Sequence, residues 1–141
     1  MTSRPDRGVL DTSTVILLSR IEDPQALPHE PLITTVTLAE LSVGPLVARD
    51  DQERAVRQAH LQQAEADFAP LPFDPPAARA FGRVAAALRQ AGRKPAARAY
   101  DAMIAATALA NDLPVYTANP DDFEGIEGLD VVPVEIPAEQ L

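Results

Sequence analysis

Three acids in this chain sit in surroundings that carboxylates ordinarily avoid. Asp11 follows "GVL", Glu40 lies within "TLAELSV", and Asp101 precedes "AMIAATALA", nine residues without a charge. At helical spacing Ile104, Ala105 and Ala108 share a face with Asp101. A fourth acid, Asp122, falls in "NPDDF" beside Asn119 and Asp121. A carboxylate among apolar groups loses its hydration, and several carboxylates meeting at one place repel one another. One or two divalent cations relieve both. The chain has no Cys and only two histidines, His29 and His60, in no zinc-type spacing. An all-oxygen donor set of this kind suits Mg²⁺ or Mn²⁺.

Each acid taken alone also reads as a helix cap, at about 1 kcal/mol of helix stability apiece. Thr37-x-x-Glu40 fits a capping box, and Asn119-Pro120-Asp121-Asp122 fits an N-cap followed by Pro and first-turn acids. Asp11 and Asp101 are each possible N-cap or first-turn acids. The joint pattern points past capping, because surface caps are normally flanked by polar residues.

The elements that must position these acids follow from periodicity and punctuation. "GVLD" reads as a buried strand and "TSTVILLSRI" as a helix. "PLITTV" is a second strand, and "TLAELSVGPLVA" is a helix opened by Thr37 and kinked or broken at Gly44-Pro45. "DDQERAVRQAHLQQAEADF" is a polar, amphipathic surface helix. "APLPFD" is extended, and "PPAARAFGRVAAALRQAG" is a helix with Pro in its first turn and Gly92 past its end. "RKPAARAY" is a basic linker into the helix headed by Asp101. "LPVYTA" and "LDVVPVEI" are strands on either side of "NPDDFEGIEG", a turn with a short helix. The order β-α-β-α-α-β-α-α-β-α-β is that of a three-layer α/β/α protein with a central, mostly parallel sheet of four to five strands. The 141 residues make one domain, 1–141, with 136–141 as a frayed tail. In such a sheet ligands bind beyond the carboxyl ends of the strands. Asp11, Glu40 and Asp122 then reach one edge from three segments.

A net charge of −9 opposes nucleic-acid binding unless cations are concentrated locally. Arg89, Arg93, Lys94 and Arg98 form the only concentrated basic stretch, just before Asp101. They read either as phosphate contacts or as a solvated helix end. With four Phe, two Tyr and no Trp, stacking platforms are scarce, and Tyr100 reads as a packing residue before a base-stacking one. No apolar run approaches a membrane span and the N-terminus lacks a signal-peptide core, so a cytoplasmic setting is expected.

Taken together, "LDTS", "TLAEL", "YDAMIAATALA" and "YTANPDDF", in this order and spacing, resemble the PIN-domain family, and within it the VapC-type toxins of bacterial toxin–antitoxin pairs. The resemblance spans nearly the whole chain. It implies a metal-dependent endoribonuclease whose core acids correspond to Asp11, Glu40 and Asp101, with Asp122 as the fourth. Many relatives have Asp where this chain has Asn119, so a metal contact there is weaker or water-mediated; Asp121 is the lesser candidate. Thr12, Ser13 and Thr117 are in place to orient ligands or a water, or to cap and pack. The resemblance further implies a Mg²⁺ or Mn²⁺ cofactor, an RNA substrate, a homodimer and a cognate antitoxin. Arg93, Lys94 and Arg98 are then the expected contacts to RNA, and the amphipathic "LSVGPLVARDDQERAVRQAHL" reads either as the groove for the antitoxin or as a segment that only packs on the sheet. Asp11→Asn, by relieving repulsion, is expected to leave the metal-free fold intact and more thermostable.

The competing readings are a catalytically inactive PIN-like scaffold and another Mg-dependent α/β phosphoesterase. A haloacid-dehalogenase-type phosphatase wants a second Asp where Ser13 stands. A receiver domain wants a Lys after a late strand, whereas Lys94, the only lysine, lies outside one.

Overall fold

The computed structural model describes residues 6–94 and 98–137. The first strand, β1 (Arg7–Leu10), sends Val9 to one face of the sheet and Leu10 to the other, and both are fully buried. A strand apolar on both sides needs helices on both faces, and the chain supplies them. Helix α1 (Thr12–Ile16) and a 3-10 turn at Leu18–Arg20 lead to β2 (Glu30–Thr34). Then come α2 (Thr35–Leu46), α3 (Asp51–Asp67), β3 (Pro70–Leu71), α4 (Pro75–Gln90) and α5 (Ala99–Ala110). The chain ends with β4 (Val115–Thr117), a 3-10 turn at Pro120–Phe123, and β5 (Val131–Pro133).

The strands lie in the order β3-β2-β1-β4-β5 and every pairing is parallel. Val9 stands level with Leu32 and Val115, and Leu10 with Tyr116. Two cores result. On one face Val9 and Val115 meet α4 and α5 through Val84, Leu88, Ile104 and Ala105. On the other, Leu10, Ile33 and Tyr116 meet Val15, Leu41 and Ala64. The three-layer α/β/α arrangement expected from the sequence is therefore present, with five strands. Strand order reverses between β1 and β4, which puts the switch point of the sheet where Asp11 and Thr117 end their strands.

Several boundaries differ from the sequence reading. Helix α2 begins at Thr35, because the Thr34 hydroxyl accepts the Thr37 amide at 3.2 Å and so caps the helix itself. Thr37 is a buried residue inside the helix, not its N-cap. The helix runs one residue past Pro45, and beside that proline Arg57 donates to the Gly44 carbonyl at 2.9 Å. Helix α1 is half the expected length and β3 has only two residues. Surface helix α3 is as expected, with Ala64 its one fully buried residue among those described. Of the supposed frayed tail, Ile136 packs on the second core, and Arg20 donates to the Pro137 carbonyl at 2.8 Å; residues 138–141 lie outside the described residues, as do 95–97 of the basic linker. Among the described residues no helix is long and apolar enough to cross a membrane.

Gly8 marks a close approach. A Cβ there would lie 2.5 and 2.7 Å from the Tyr116 ring and 3.3 Å from Pro28, and Tyr116 is only 2% exposed. Gly8→Ala is expected to lower stability by about 1–3 kcal/mol through overpacking. A urea denaturation curve reads this directly; an unchanged midpoint would show that the ring has room to move.

Candidate active site

Asp11 leaves β1 and caps α1. Its carboxylate is 2% exposed and is surrounded by donors. Thr14 donates from its amide at 3.1 Å and its hydroxyl at 2.6 Å, Ser13 at 3.0 and 3.1 Å, and the Thr117 hydroxyl at 2.7 Å from the end of β4. Thr14 and Thr117 in turn accept the amides of Ala118 and Asn119 at 3.0 and 2.9 Å. One buried charge thus ties together the ends of β1 and β4 and the start of α1, with hydrogen bonds offsetting the loss of water.

Glu40 is the sixth residue of α2, too far along the helix to cap it. The capping-box reading therefore falls, and with it the placement of Glu40 in the first turn. The Glu40 carboxylate instead accepts the Thr12 hydroxyl at 2.7 Å. Thr12 lies 3.0 Å from the Thr37 hydroxyl, so with Thr12 donating to Glu40, Thr37 donates to Thr12. Burial raises the Glu40 pKa above its ordinary value. The Thr12 bond pulls it back, and the charge of Asp11 pushes it up again.

Asp101 is the third residue of α5, and the Arg98 side chain before it makes no cap bond. Its pKa is pushed up to about 6. Burial is the main cause, followed by repulsion from Asp122, Glu40 and Asp11, with Arg98 in opposition. Asp122 stands in the 3-10 turn that buried Phe123 anchors, and its Oδ1 accepts Arg98 Nη1 at 3.1 Å. Asp101 feels Asp122 and not its exposed neighbour Asp121. Asn119 occupies the N-cap position of this turn without a side-chain cap bond, so that capping reading is not realised either.

The predicted acids thus come within mutual electrostatic reach. Arg98 joins them. Arg93 donates to the Glu124 carbonyl at 3.1 Å, and Lys94 is exposed. Tyr100 is 47% exposed and so is not a core residue. Thr14 and Thr37 were missed as site residues. The signal for Thr14 was the hydroxyl run "DTST" directly after an apolar strand. A cleft of about 250 Å³ adjoins Glu40, lined by Thr12, Ile16, Arg57 and His60 among others.

The donor chemistry fits a hard divalent cation: oxygen ligands only, with burial first and like-charge repulsion after it raising Asp101 and Glu40. Among the described residues no group of three or more acids or histidines is already gathered to hold a metal ion. The Asp11 carboxylate accepts the hydroxyls of Ser13, Thr14 and Thr117, that of Glu40 accepts Thr12, and that of Asp122 accepts Arg98.

Two stability predictions follow from these surroundings. The folded, metal-free protein keeps the Asp101 proton up to about pH 6, whereas the unfolded chain releases it at the ordinary 3.8. The folded state therefore binds more protons across this window, and stability falls as pH rises through it and stays lower above. In EDTA at pH 7.5, Asp101→Asn should be more stable than wild type by about 1–2 kcal/mol after discounting for solvent screening. The gap should close below about pH 4; a difference that does not vary with pH would contradict an origin in the charge of Asp101. Asp11→Asn should do the opposite of the sequence expectation. An amide would turn N–H groups toward hydroxyl and amide donors, at a cost of about 1–3 kcal/mol seen as a lower melting temperature.

Comparison with known proteins bears on the whole chain. The PIN domain family model matches residues 9–129. Ribonuclease VapC5 of Mycobacterium tuberculosis is 42% identical over 130 residues, covering 91% of this chain and 93% of that protein. Ribonuclease VapC1 of Rickettsia felis is 27% identical, covering 89% and 95%. Among solved structures, the toxin–antitoxin system member VapBC-5 from Mycobacterium tuberculosis aligns with a TM-score of 0.78 at 40% identity, covering 92% of this chain and all of that one. A family match over most of the length, a relative well above 30% identity and a shared fold agree: the chain belongs to the PIN-domain family and is a homologue of the VapC ribonucleases.

Proposed function

We propose that this protein is a divalent-metal-dependent endoribonuclease, the toxin of a toxin–antitoxin pair, and that Asp11, Glu40, Asp101 and Asp122 are its catalytic acids. The observation that carries this is the electrostatic coupling of half-buried Asp101 to Asp11, Glu40 and Asp122, acids from three other parts of the chain. Helix capping accounts for none of that coupling.

Asp11, Glu40, Asp101 and Asp122, with Asn119 as a lesser candidate, would hold a Mg²⁺ or Mn²⁺ ion, which when bound would acidify a water and polarise a phosphodiester oxygen. The protein does the rest. Ser13, Thr14 and Thr117 hold the Asp11 carboxylate in one orientation, and the Thr37–Thr12 pair does the same for Glu40. A carboxylate of the cluster accepts the proton of the attacking water. The water oxygen bonds to phosphorus, one P–O ester bond breaks, and the two RNA ends carry a phosphate and a hydroxyl. Arg93, Lys94 and Arg98 give local attraction to the RNA backbone against the net charge of −9.

The partner reading rests on the VapBC likeness and on the exposed apolar residues Val43, Leu46, Val47 and Val56 along α2 and α3. They offer a cognate antitoxin an apolar face on an acidic protein.

Incubation of the pure protein with total cellular RNA tests the reading. Discrete cuts are expected with Mg²⁺ or Mn²⁺ and none in EDTA. Asp101→Asn, still folded by circular dichroism, should be slower by on the order of a hundredfold or more. Cutting that persists in EDTA would overturn the metal dependence, cutting at wild-type rate in the folded variant would remove Asp101 from the catalytic set, and no cutting under any condition would favour the scaffold reading.

A further inference from the structure

Arg98 ends the basic stretch and occupies the N-cap position of α5, three residues before Asp101. It does not cap the helix. Its guanidinium reaches instead to the turn after β4, where Nη1 donates to Asp122 Oδ1 at 3.1 Å, with both side chains about a third exposed. Its charge also offsets part of the repulsion on Asp101. Among the described residues it is the only cation that forms an ion pair with any of the four acids. The neighbouring arginines are committed elsewhere. Arg57, in the cleft beside Glu40, pairs with Glu53 and donates to the Gly44 carbonyl, and Arg93 donates to the Glu124 carbonyl.

We propose that Arg98 is a built-in counter-ion of the acid cluster, displaced from Asp122 when a divalent cation binds and thereby released to hold an RNA phosphate. This rests on the reading that the four acids bind that cation. The incoming ion and the guanidinium compete for the same carboxylate and repel each other. An ion pair this exposed is weak, so the exchange is easy. The freed guanidinium presents a planar fork of donors that matches phosphate oxygens. Little else has to move, because buried Phe123 fixes the turn bearing Asp122 and the buried face of α5 fixes Asp101. Without the metal, the arginine meant for RNA is held inside its own site.

The test is Mn²⁺ binding to the full-length protein at fixed ionic strength, read from the electron paramagnetic resonance signal of the free ion. Arg98→Gln and Arg98→Met are expected to bind Mn²⁺ about three- to tenfold more tightly than wild type. Arg98→Lys keeps the charge and should stay within about twofold. Asp101→Asn should lose most of the binding. At saturating Mn²⁺, KM for RNA should rise about three- to tenfold in the neutral variants, as one phosphate contact is lost. Wild-type Mn²⁺ affinity in whichever neutral variant folds, with Asp101→Asn still impaired, overturns the counter-ion role and leaves the metal site standing. Equal tightening in Arg98→Lys overturns it too, since charge would not be the cause. An unchanged KM overturns the release to RNA. Full Mn²⁺ affinity in Asp101→Asn overturns the metal reading itself.

Discussion

The buried carboxylate of Asp11 and the hydroxyls around it form the joint on which the architecture turns. A charge at 2% exposure is tolerable only when hydrogen bonds replace its water, and here they come from both neighbouring segments: Ser13 and Thr14 behind it, Thr117 across from it. That requirement fixes the ends of β1 and β4 side by side at the point where strand order reverses. Because Thr14 and Thr117 also accept the amides of Ala118 and Asn119, the loop carrying Asp122 is set by the same network. The switch point of a parallel sheet leaves a crevice between diverging connections. In this protein the crevice is floored by a charge and its donors.

Capping and chemistry can now be separated acid by acid. Asp11 does cap α1, but the Thr14 amide is one of several donors it accepts, and the Thr117 hydroxyl has no part in capping. Glu40 caps nothing. Asp101 lies in the first turn of α5, where the helix dipole favours an acid, yet its pKa stands high, so burial and like charges outweigh the dipole. The charge of Asp101 therefore opposes stability in the fold rather than serving it. The repulsion is a standing cost, and a cation bound there, as proposed, would turn it into affinity.

Much of this was legible in the sequence. Element order and the parallel sheet could be read because apolar runs and Pro and Gly punctuation are written in neighbouring residues, and the local setting of each carboxylate singled out four acids that the fold brings within electrostatic reach of one another. Helix α4 shows how plainly: Ala77, Ala80, Val84 and Leu88 recur at helical spacing and are all buried, behind Asp74 and two prolines. The start of α2 was not legible. Thr34, Thr35 and Thr37 are all acceptable caps and strand residues, and only the pairing of β2 with β1 and β3 settles which of them ends the strand. The roles of Thr14, Thr37 and Arg98 were hidden for a related reason. Each depends on a partner distant in sequence, and hydroxyl and guanidinium groups carry no pattern of their own to announce it.

The composition of α5 explains why the repulsion persists. Ala102, Ala105, Ala106 and Ala108 are fully buried along with Ile104 and Thr107, so the helix is enclosed nearly all round. Alanines let it lie close against both the sheet and α4, and a contact that close leaves no slack for the helix to rotate or slide. Asp101 is therefore carried on a rigid mount facing charges of its own sign. A looser helix would draw the carboxylate out to water and return its pKa to an ordinary value. The tight one cannot, and the strain appears as a proton held to about pH 6. The same rigidity that denies Asp101 an escape into solvent holds it within electrostatic reach of acids delivered by three other parts of the chain, which is what the proposed cation site requires.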